Sequence, residues 1–484
     1  MTDLNVQRQE ELLRGEGWNQ KALRKLNIAI LGESILTNYL LVYFSCLFGK
    51  TEGEIKLIGN SRIEEGNLKG EFLINGLTDK YPVGGSKVEC LADAIKGVNP
   101  KFHVTYYHTC YDSNVLDGSD IIIDLTNDPI IKQEGFEYSV KKNKSWITAS
   151  SDRSMGALIV KKKNKLIKPI YFKKFVQKNQ GIIPSGLIAG IISDEVRKHA
   201  FQFNNMDQTL EGLLCYNLNS GSRFSSRDTI KEEGRSLKNK KVLVVGGGGI
   251  GNYVSLGLTL MGIGVIDIVD FDTVQETDLN RQFLFYNSEK EKKVDVLAKR
   301  LKRLTGCYSD IKINPIFGEI NDKLKKGRKV IDKNYLSEKK YDLILSCVDN
   351  ERARYILNDN CLDLGIPLIN GGVNFNEGNV YVSVPKKTAC LGELSGVRYE
   401  QEVRNSCRNQ MPSVVYTNAI IASTMLGEVR NVMFPRLYGE PIKNQILYSS
   451  FQKEADERML LQNGIIKPQK NCKCYKLLSE EVSK

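Results

Sequence analysis

VLVVGGGGIGNYVSL, residues 242–256, reads as a buried strand, a glycine-rich turn and the first turns of a helix. The apolar run Val242 to Val245 leads straight into Gly246, Gly248 and Gly251, the G-x-G-x-x-G spacing that lets backbone N–H groups approach a phosphate at a helix N-terminus. Asp270 ends the next apolar run, where an acidic side chain suits a ribose hydroxyl. Up to this point a nicotinamide dinucleotide and ATP fit equally well.

Working outward, the chain contains this pattern twice. GEIKLIGNSRIEEGNLKGEFL (53–73) aligns without a gap to GVIDIVDFDTVQETDLNRQFL (264–284), and NIAILGESILTN (27–38) aligns to KVLVVGGGGIGN (241–252). Downstream, SKVECLADAIKGVN (86–99) matches KKVDVLAKRLKRLT (292–305), DIIIDLTND (120–128) matches DLILSCVDN (342–350), and ITASSDRSMGALIV (147–160) matches INGGVNFNEGNVYV (369–382). Each copy alternates strand-like and helix-like stretches, the pattern of a parallel sheet with crossover helices. The joint is read in 205–238, where NLNSGSRFSSRD carries no periodicity.

The two copies differ in a directed way. Gly246, Gly248 and Gly251 face Gly32, Ser34 and Thr37; Asp270 faces Gly59, Arg281 faces Gly70, and Asp349 faces Asn127. The apolar frame of the first copy (Ile28, Ile30, Leu31, Leu57, Ile58, Phe72, Leu73) persists. The first half therefore reads as a scaffold and the second as the half built for chemistry.

Composition bounds the rest. At about 150 residues per domain, 484 residues suggest two to four domains. With 41% hydrophobic residues and no membrane-length apolar run, the chain reads as globular and without a membrane span. The N-terminal stretch has no signal-like apolar region, and 11 irregularly spaced cysteines fit a reducing, cytoplasmic setting. The net charge of +12 is spread through runs such as KKNK (141–144) and KKKNK (161–165), with no aromatic-interleaved stripe. It reads as solvated surface charge, not a nucleic-acid patch.

Residues past the second strand separate ATP from a dinucleotide. DLNRQFLF (278–285) sets Asn280, Arg281 and Gln282 after the strand, and Lys293 opens a helix. Cationic groups suit a polyanion that gains charge in a transition state. Asp349, at the end of a later strand, suits Mg²⁺ or else caps the helix that follows. All three histidines lie in the first half, away from this loop, so hydride chemistry lacks a nearby proton carrier.

By GGGGIG, DFDTVQETDLNRQ, KKV and VDNERAR, in that order, residues 238–474 resemble the ThiF/MoeB and ubiquitin-activating enzyme family. The resemblance implies two tandem Rossmann-like, doubly wound α/β domains forming an intramolecular pseudo-dimer: an inactive domain over 1–215, a linker over 216–237 and an active domain over 238–484. It implies ATP- and Mg²⁺-dependent adenylation of the C-terminal carboxylate of a small ubiquitin-like (β-grasp) protein or peptide, by a chain that acts as a monomer. Gly246, Gly248, Gly251, Asp270, Asn280 and Gln282 would bind the nucleotide, while Arg281 and Lys293 would hold phosphates and Asp349 the metal. Lys292 is the competing candidate for the inward lysine. Arg8, in an RQ pair, would reach from the first half into the second half's site.

The same resemblance implies zinc on paired cysteines. Here the second cysteine of the first pair is absent, and Cys390, Cys407, Cys472 and Cys474 are the available ligands. Cys407 also aligns with a crossover-loop cysteine that would accept an acyl group or sulfur. Two other readings stand beside this one: a leader-peptide or partner-recognition module of the same fold, and an NAD-dependent oxidoreductase that leaves Arg281, Lys293 and the repeat unused.

Overall fold

The computed structural model describes every residue except 1–3, 76–79, 164–180, 201–208, 221–222, 225–235, 305–309, 322–326, 396–411, 463–469, 471 and 483–484. The first sheet contains β1 (Ile28–Leu31), β2 (Ile55–Ile58), β3 (Val104–Tyr107), β4 (Ile121–Asp124), β5 (Ser145–Ser151), β6 (Met155–Lys161) and β7 (Leu213–Asn217). The second contains β8 (Lys241–Val245), β9 (Val265–Asp270), β10 (Lys312–Ile320), β11 (Lys329–Ile331), β12 (Leu343–Ser346), β13 (Leu368–Val373), β14 (Glu377–Ser383), β15 (Gln445–Ser449) and β16 (Met459–Gln462).

Strand orders are β3-β2-β1-β4-β5-β6-β7 and β11-β10-β9-β8-β12-β13-β14-β15-β16. In each, a parallel, doubly wound block is extended by antiparallel strands. The shared order is the repeat seen in three dimensions. The central strands IAIL, IIID and LILS are buried on both faces, as parallel strands covered by helices must be. In the second sheet the order reverses at β8, between β9 and β12, and a ligand crevice opens there at the strands' C-terminal ends.

One expectation needs correction. The stretch read as a joint contains β7, whose residues pair antiparallel with β6 and close the first sheet. A five-residue strand is too short to show period-two alternation against Ser- and Asn-rich flanks. β7 also runs past residue 215, where the first domain was expected to end.

The halves meet through helices. Ile182–Ala200 and Val415–Met433 pack on each other, flanked by Ile35–Phe48 and Gly249–Leu260, and the long pair is buried almost throughout. Close approach requires small residues: a Cβ on Gly190 would lie 2.7 Å from Ile420 Cγ1, and one on Gly186 would lie 2.6 Å from Ser423 Oγ. Among the described residues no helix is long and apolar enough to cross a membrane.

A buried ionic cluster pins one end of this interface. Asp194 pairs with Arg197 (2.7 Å), Lys198 (3.0 Å) and Arg458 (3.5 Å), and accepts from Tyr448 Oη (2.7 Å) and Ser450 Oγ (2.8 and 2.9 Å). Arg458 also reaches Glu195 at 2.7 Å. Burial pushes the Asp194 carboxyl up, but the three cations outweigh it and hold it below the usual carboxylate range. Asp194→Ala leaves buried cations without their partner and is predicted to cost about 3–5 kcal/mol, read as a fall in melting temperature. Because the folded-state pKa is depressed, this contribution is complete above about pH 4. It is lost on acidification below that point in the wild type and is missing from the variant.

Candidate active site

Gly246 leaves β8 with φ +93°, a conformation glycine adopts without strain, and a Cβ there would lie 2.7 Å from the Cys347 carbonyl oxygen. Gly248 then caps Gly249–Leu260 with no side-chain hydrogen bond, so the helix N-terminus stays open to an anion. A Cβ on Gly251 would lie 1.8 Å from Gly246 O, which is why the turn tolerates only hydrogen there. Asp270 closes the turn: Gly247 N–H donates to one carboxylate oxygen and Asp272 N–H to the other, both at 2.7 Å. Burial raises its pKa, and Lys293 opposes that shift.

Gly246, Gly248 and Asp270 line a cleft of about 1250 Å³, together with Arg281, Gln282, Lys293, Asp349, Arg352 and Arg354, whereas Gly251 and Asn280 are not part of its lining. Its volume lies above the usual range of about 300–1,000 Å³ for small-molecule sites. Lys293 is buried and pairs with Asp278 at 3.3 Å and Asp272 at 3.6 Å, whereas Lys292 is exposed and lies over the Phe317 ring. The inward lysine is therefore Lys293. Gln282 Nε2 donates to Asp278 Oδ1 at 3.0 Å, while its buried Oε1 has no hydrogen-bond partner among the described residues. Asp349 is not the cap of Glu351–Leu364; Asn350 is, its side chain accepting from Ala353 N–H at 2.7 Å. Asp349 thus lines the cleft with capping assigned to its neighbour. Arg352 is exposed at the rim, and Arg354 donates to the Val348 and Gly371 carbonyls inside it.

Arg8 lies on the helix Leu4–Leu13, which packs against the turn Glu276–Asp278; the Arg8 side chain lies outside what the structure describes. Asn280, buried, donates from Nδ2 to Gln9 Oε1 across the halves at 3.2 Å. The sequence marks Gln9 as the partner of Arg8 in the RQ pair and Gln20 as the end of the WNQ segment at 18–20 but gives neither a role, because glutamine amides carry no chemistry by themselves and only their placement gives them one.

The first half's equivalent turn is filled from within. Ser34 and Thr37 form a reciprocal capping box on Ile35–Phe48, so that helix N-terminus satisfies its own donors. Glu33, where the second half has Gly247, accepts from Ser61 N–H at 3.0 and 3.1 Å, and its carboxylate lies where a Cβ on Gly59 would project. Lys87, the counterpart of Lys293, is neutralised by Glu71 at 2.8 Å, where the second half has the uncharged Gln282.

A second cluster lies apart. Cys390, Cys472 and Cys474 bring their sulfurs within 4.8 Å of one another, with 3.6 Å between Cys390 and Cys472 and 3.0 Å between Cys472 and Cys474. Two thiolates bonded to one zinc sit about 3.8 Å apart, so the set fits that ion's soft, tetrahedral preference. Hydrogen bonding from Cys474 lowers the Cys390 thiol to about 6 against the push of burial, while burial raises Cys472. Cys407 lies outside the described residues.

Fold and site together define a doubly wound α/β protein with one open nucleotide-type turn and one closed copy. The sequence pattern of the ThiF family matches residues 222–474, more than half of the chain, and the chain belongs to that family. It is 34% identical over 163 residues to ubiquitin-like modifier-activating enzyme 5 of Dictyostelium discoideum, covering 32% of this chain and 42% of that protein. It is 31% identical over 175 residues to the NEDD8-activating enzyme E1 catalytic subunit of Caenorhabditis elegans, covering 33% and 37%. It is 30% identical over 187 residues to the adenylyltransferase and sulfurtransferase UBA4 of Candida albicans, covering 37% and 39%. The chain thus spans less than half the length of each of these relatives. Among solved structures, E. coli MccB with MccA-N7isoASN is similar at 26% identity and a TM-score of 0.41, covering 49% of this chain and 67% of that one.

Gly251→Ala drives a methyl group into the Gly246 carbonyl and is predicted to destabilise the second half by about 1–3 kcal/mol or more. The check is a lowered denaturant midpoint with the fold retained by circular dichroism.

Proposed function

We propose that this protein is an ATP- and Mg²⁺-dependent adenylating enzyme that activates the C-terminal carboxylate of a small ubiquitin-like protein or a peptide. The observation that carries the reading is the contrast between the two turns: an uncapped helix N-terminus beside Asp270, Lys293 and Asp349 in one half, and a self-capped, carboxylate-filled counterpart in the other. The named relatives support the same reaction class. The chain functions as a single-polypeptide pseudo-dimer, with an inactive domain that runs through β7 to Asn217, a linker that follows it to 237 and an active domain over 238–484.

In this reading Gly246, Gly248 and Gly251 present backbone to the phosphates and Asp270 holds the ribose. Asn280, Arg281, Gln282 and Lys293 orient the triphosphate, and the unpartnered Gln282 Oε1 marks a polar position that a bound ligand would complete. Asp349 would hold Mg²⁺, which offsets phosphate charge when bound. Arg8 contributes a cation from the first half. The substrate carboxylate oxygen bonds to the α-phosphorus as the bond to the pyrophosphate leaving group breaks. The cationic wall stabilises the charge that moves onto that group. Cys390, Cys472 and Cys474 would hold a structural zinc ion, for which Cys407 is the candidate fourth ligand; Cys407 would otherwise be the acceptor of the activated acyl group or of sulfur. We place the enzyme in the cytoplasm.

ATP–pyrophosphate exchange with ubiquitin-like proteins and short glycine-ending peptides tests the reading. Asp349→Ala is predicted to lower exchange at least about 100-fold and Arg8→Ala about tenfold. Absence of exchange with every carboxylate, together with ATP-independent peptide binding, favours a recognition module instead. Elemental analysis should find one zinc per chain, lost in Cys472→Ser with the exchange activity retained; zinc-free wild-type protein contradicts the metal assignment.

A further inference from the structure

The cationic Arg281 is the end of a continuous run of buried hydrogen bonds that begins in the other half of the molecule. Arg281 Nη1 donates to Asn280 Oδ1 at 2.8 Å, and Asn280 Nδ2 donates to Gln9 Oε1 at 3.2 Å. Gln9 Nε2 donates to Gln20 Oε1 at 3.0 Å and to the Leu47 carbonyl at 3.4 Å. Gln20 Nε2 donates in turn to the Leu47 and Phe48 carbonyls, both at 3.0 Å, and Trp18 Nε1 donates to Gln20 Oε1 at 2.8 Å. Gln9, Gln20 and Asn280 are at most 1% exposed.

Every donor in this run points the same way. It starts on a guanidinium and ends on the last carbonyls of Ile35–Phe48, the negative end of that helix's dipole. Bonds aligned in this sense polarise one another and fix each amide's orientation. Buried amides left without partners are costly, so the chain as a whole settles in one arrangement. A second tether acts on the same residue's backbone: Tyr253 Oη donates to Arg281 O at 2.9 Å, and its ring meets Tyr43 of the first half edge-on at 5.4 Å.

We propose that Gln9 and Gln20 are positioning residues that act through Asn280 to set the Arg281 guanidinium toward the β- and γ-phosphates of the bound nucleotide. The first half thereby holds a residue of the second half's site in its working orientation, in addition to any cation it contributes itself. This rests on the adenylating reading of the cleft.

The test is a double-mutant cycle on the full-length protein, reading Mg·ATP and AMP affinity by titration calorimetry. Gln9→Met keeps the side-chain volume and removes both amide functions. It is expected to weaken ATP binding roughly fivefold in the wild-type background and less than twofold in Arg281→Ala, with AMP affinity unchanged in both. Gln9→Glu keeps the oxygen that accepts from Asn280 but turns an acceptor-only oxygen toward Gln20 Oε1 and the Leu47 carbonyl, and is expected to recover none of the loss. Equal effects of Gln9→Met in both backgrounds, or a parallel loss of AMP affinity, overturn the positioning role while leaving ATP binding intact. A wild-type protein that binds no ATP overturns the adenylating reading, and this inference with it.

Discussion

The crossing of Ile182–Ala200 with Val415–Met433 is the contact on which the remaining structure depends. These helices belong to different halves, are buried nearly throughout, and approach closely because Gly186 and Gly190 carry no side chain. Once they are packed, the orientation of the two sheets is set. The N-terminal helix Leu4–Leu13 then lies on the turn that leads into Asn280 and Arg281. The Asp194 cluster adds orientational specificity, because its cations come from both halves and can be satisfied together in one docking geometry.

That geometry gives the duplication its purpose. A single doubly wound domain has one helix N-terminus open to an anion and a limited supply of cations around it. Here the first copy closes its own turn with Glu33, the Ser34–Thr37 box and the Lys87–Glu71 pair. The helix N-terminus that stays uncapped in the second half is satisfied from within in the first. The closed copy keeps its apolar frame and sets an amide network and a helix against the segment of its neighbour that carries Asn280 and Arg281.

Much of this was legible in the sequence, for physical reasons. The repeat, gapless over 53–73 and 264–284, exposed two domains because parallel strands buried on both faces must stay apolar. The first copy keeps Gly32 opposite Gly246 but has Ser34 and Thr37 opposite Gly248 and Gly251, and this marked the closed copy, because a Cβ at Gly251 would lie 1.8 Å from Gly246 O. What escaped the sequence was placement. β7 hid within polar flanks because five residues show no period, and Asn350 rather than Asp349 as the cap is a matter of one residue's φ and ψ. Lys293 separated from Lys292 only when the helix face was known. The Gln9–Gln20–Asn280 run joins residues distant in sequence, and glutamines announce nothing by type.

The central claim is that two copies of one domain make one nucleotide site. Titration of the intact protein with Mg·ATP, read as stoichiometry alongside molecular mass in solution, addresses it directly. The account predicts one ATP bound per chain, on a protein whose mass is that of a single chain. Two nucleotides per chain, or a site that assembles only when chains pair, would contradict it.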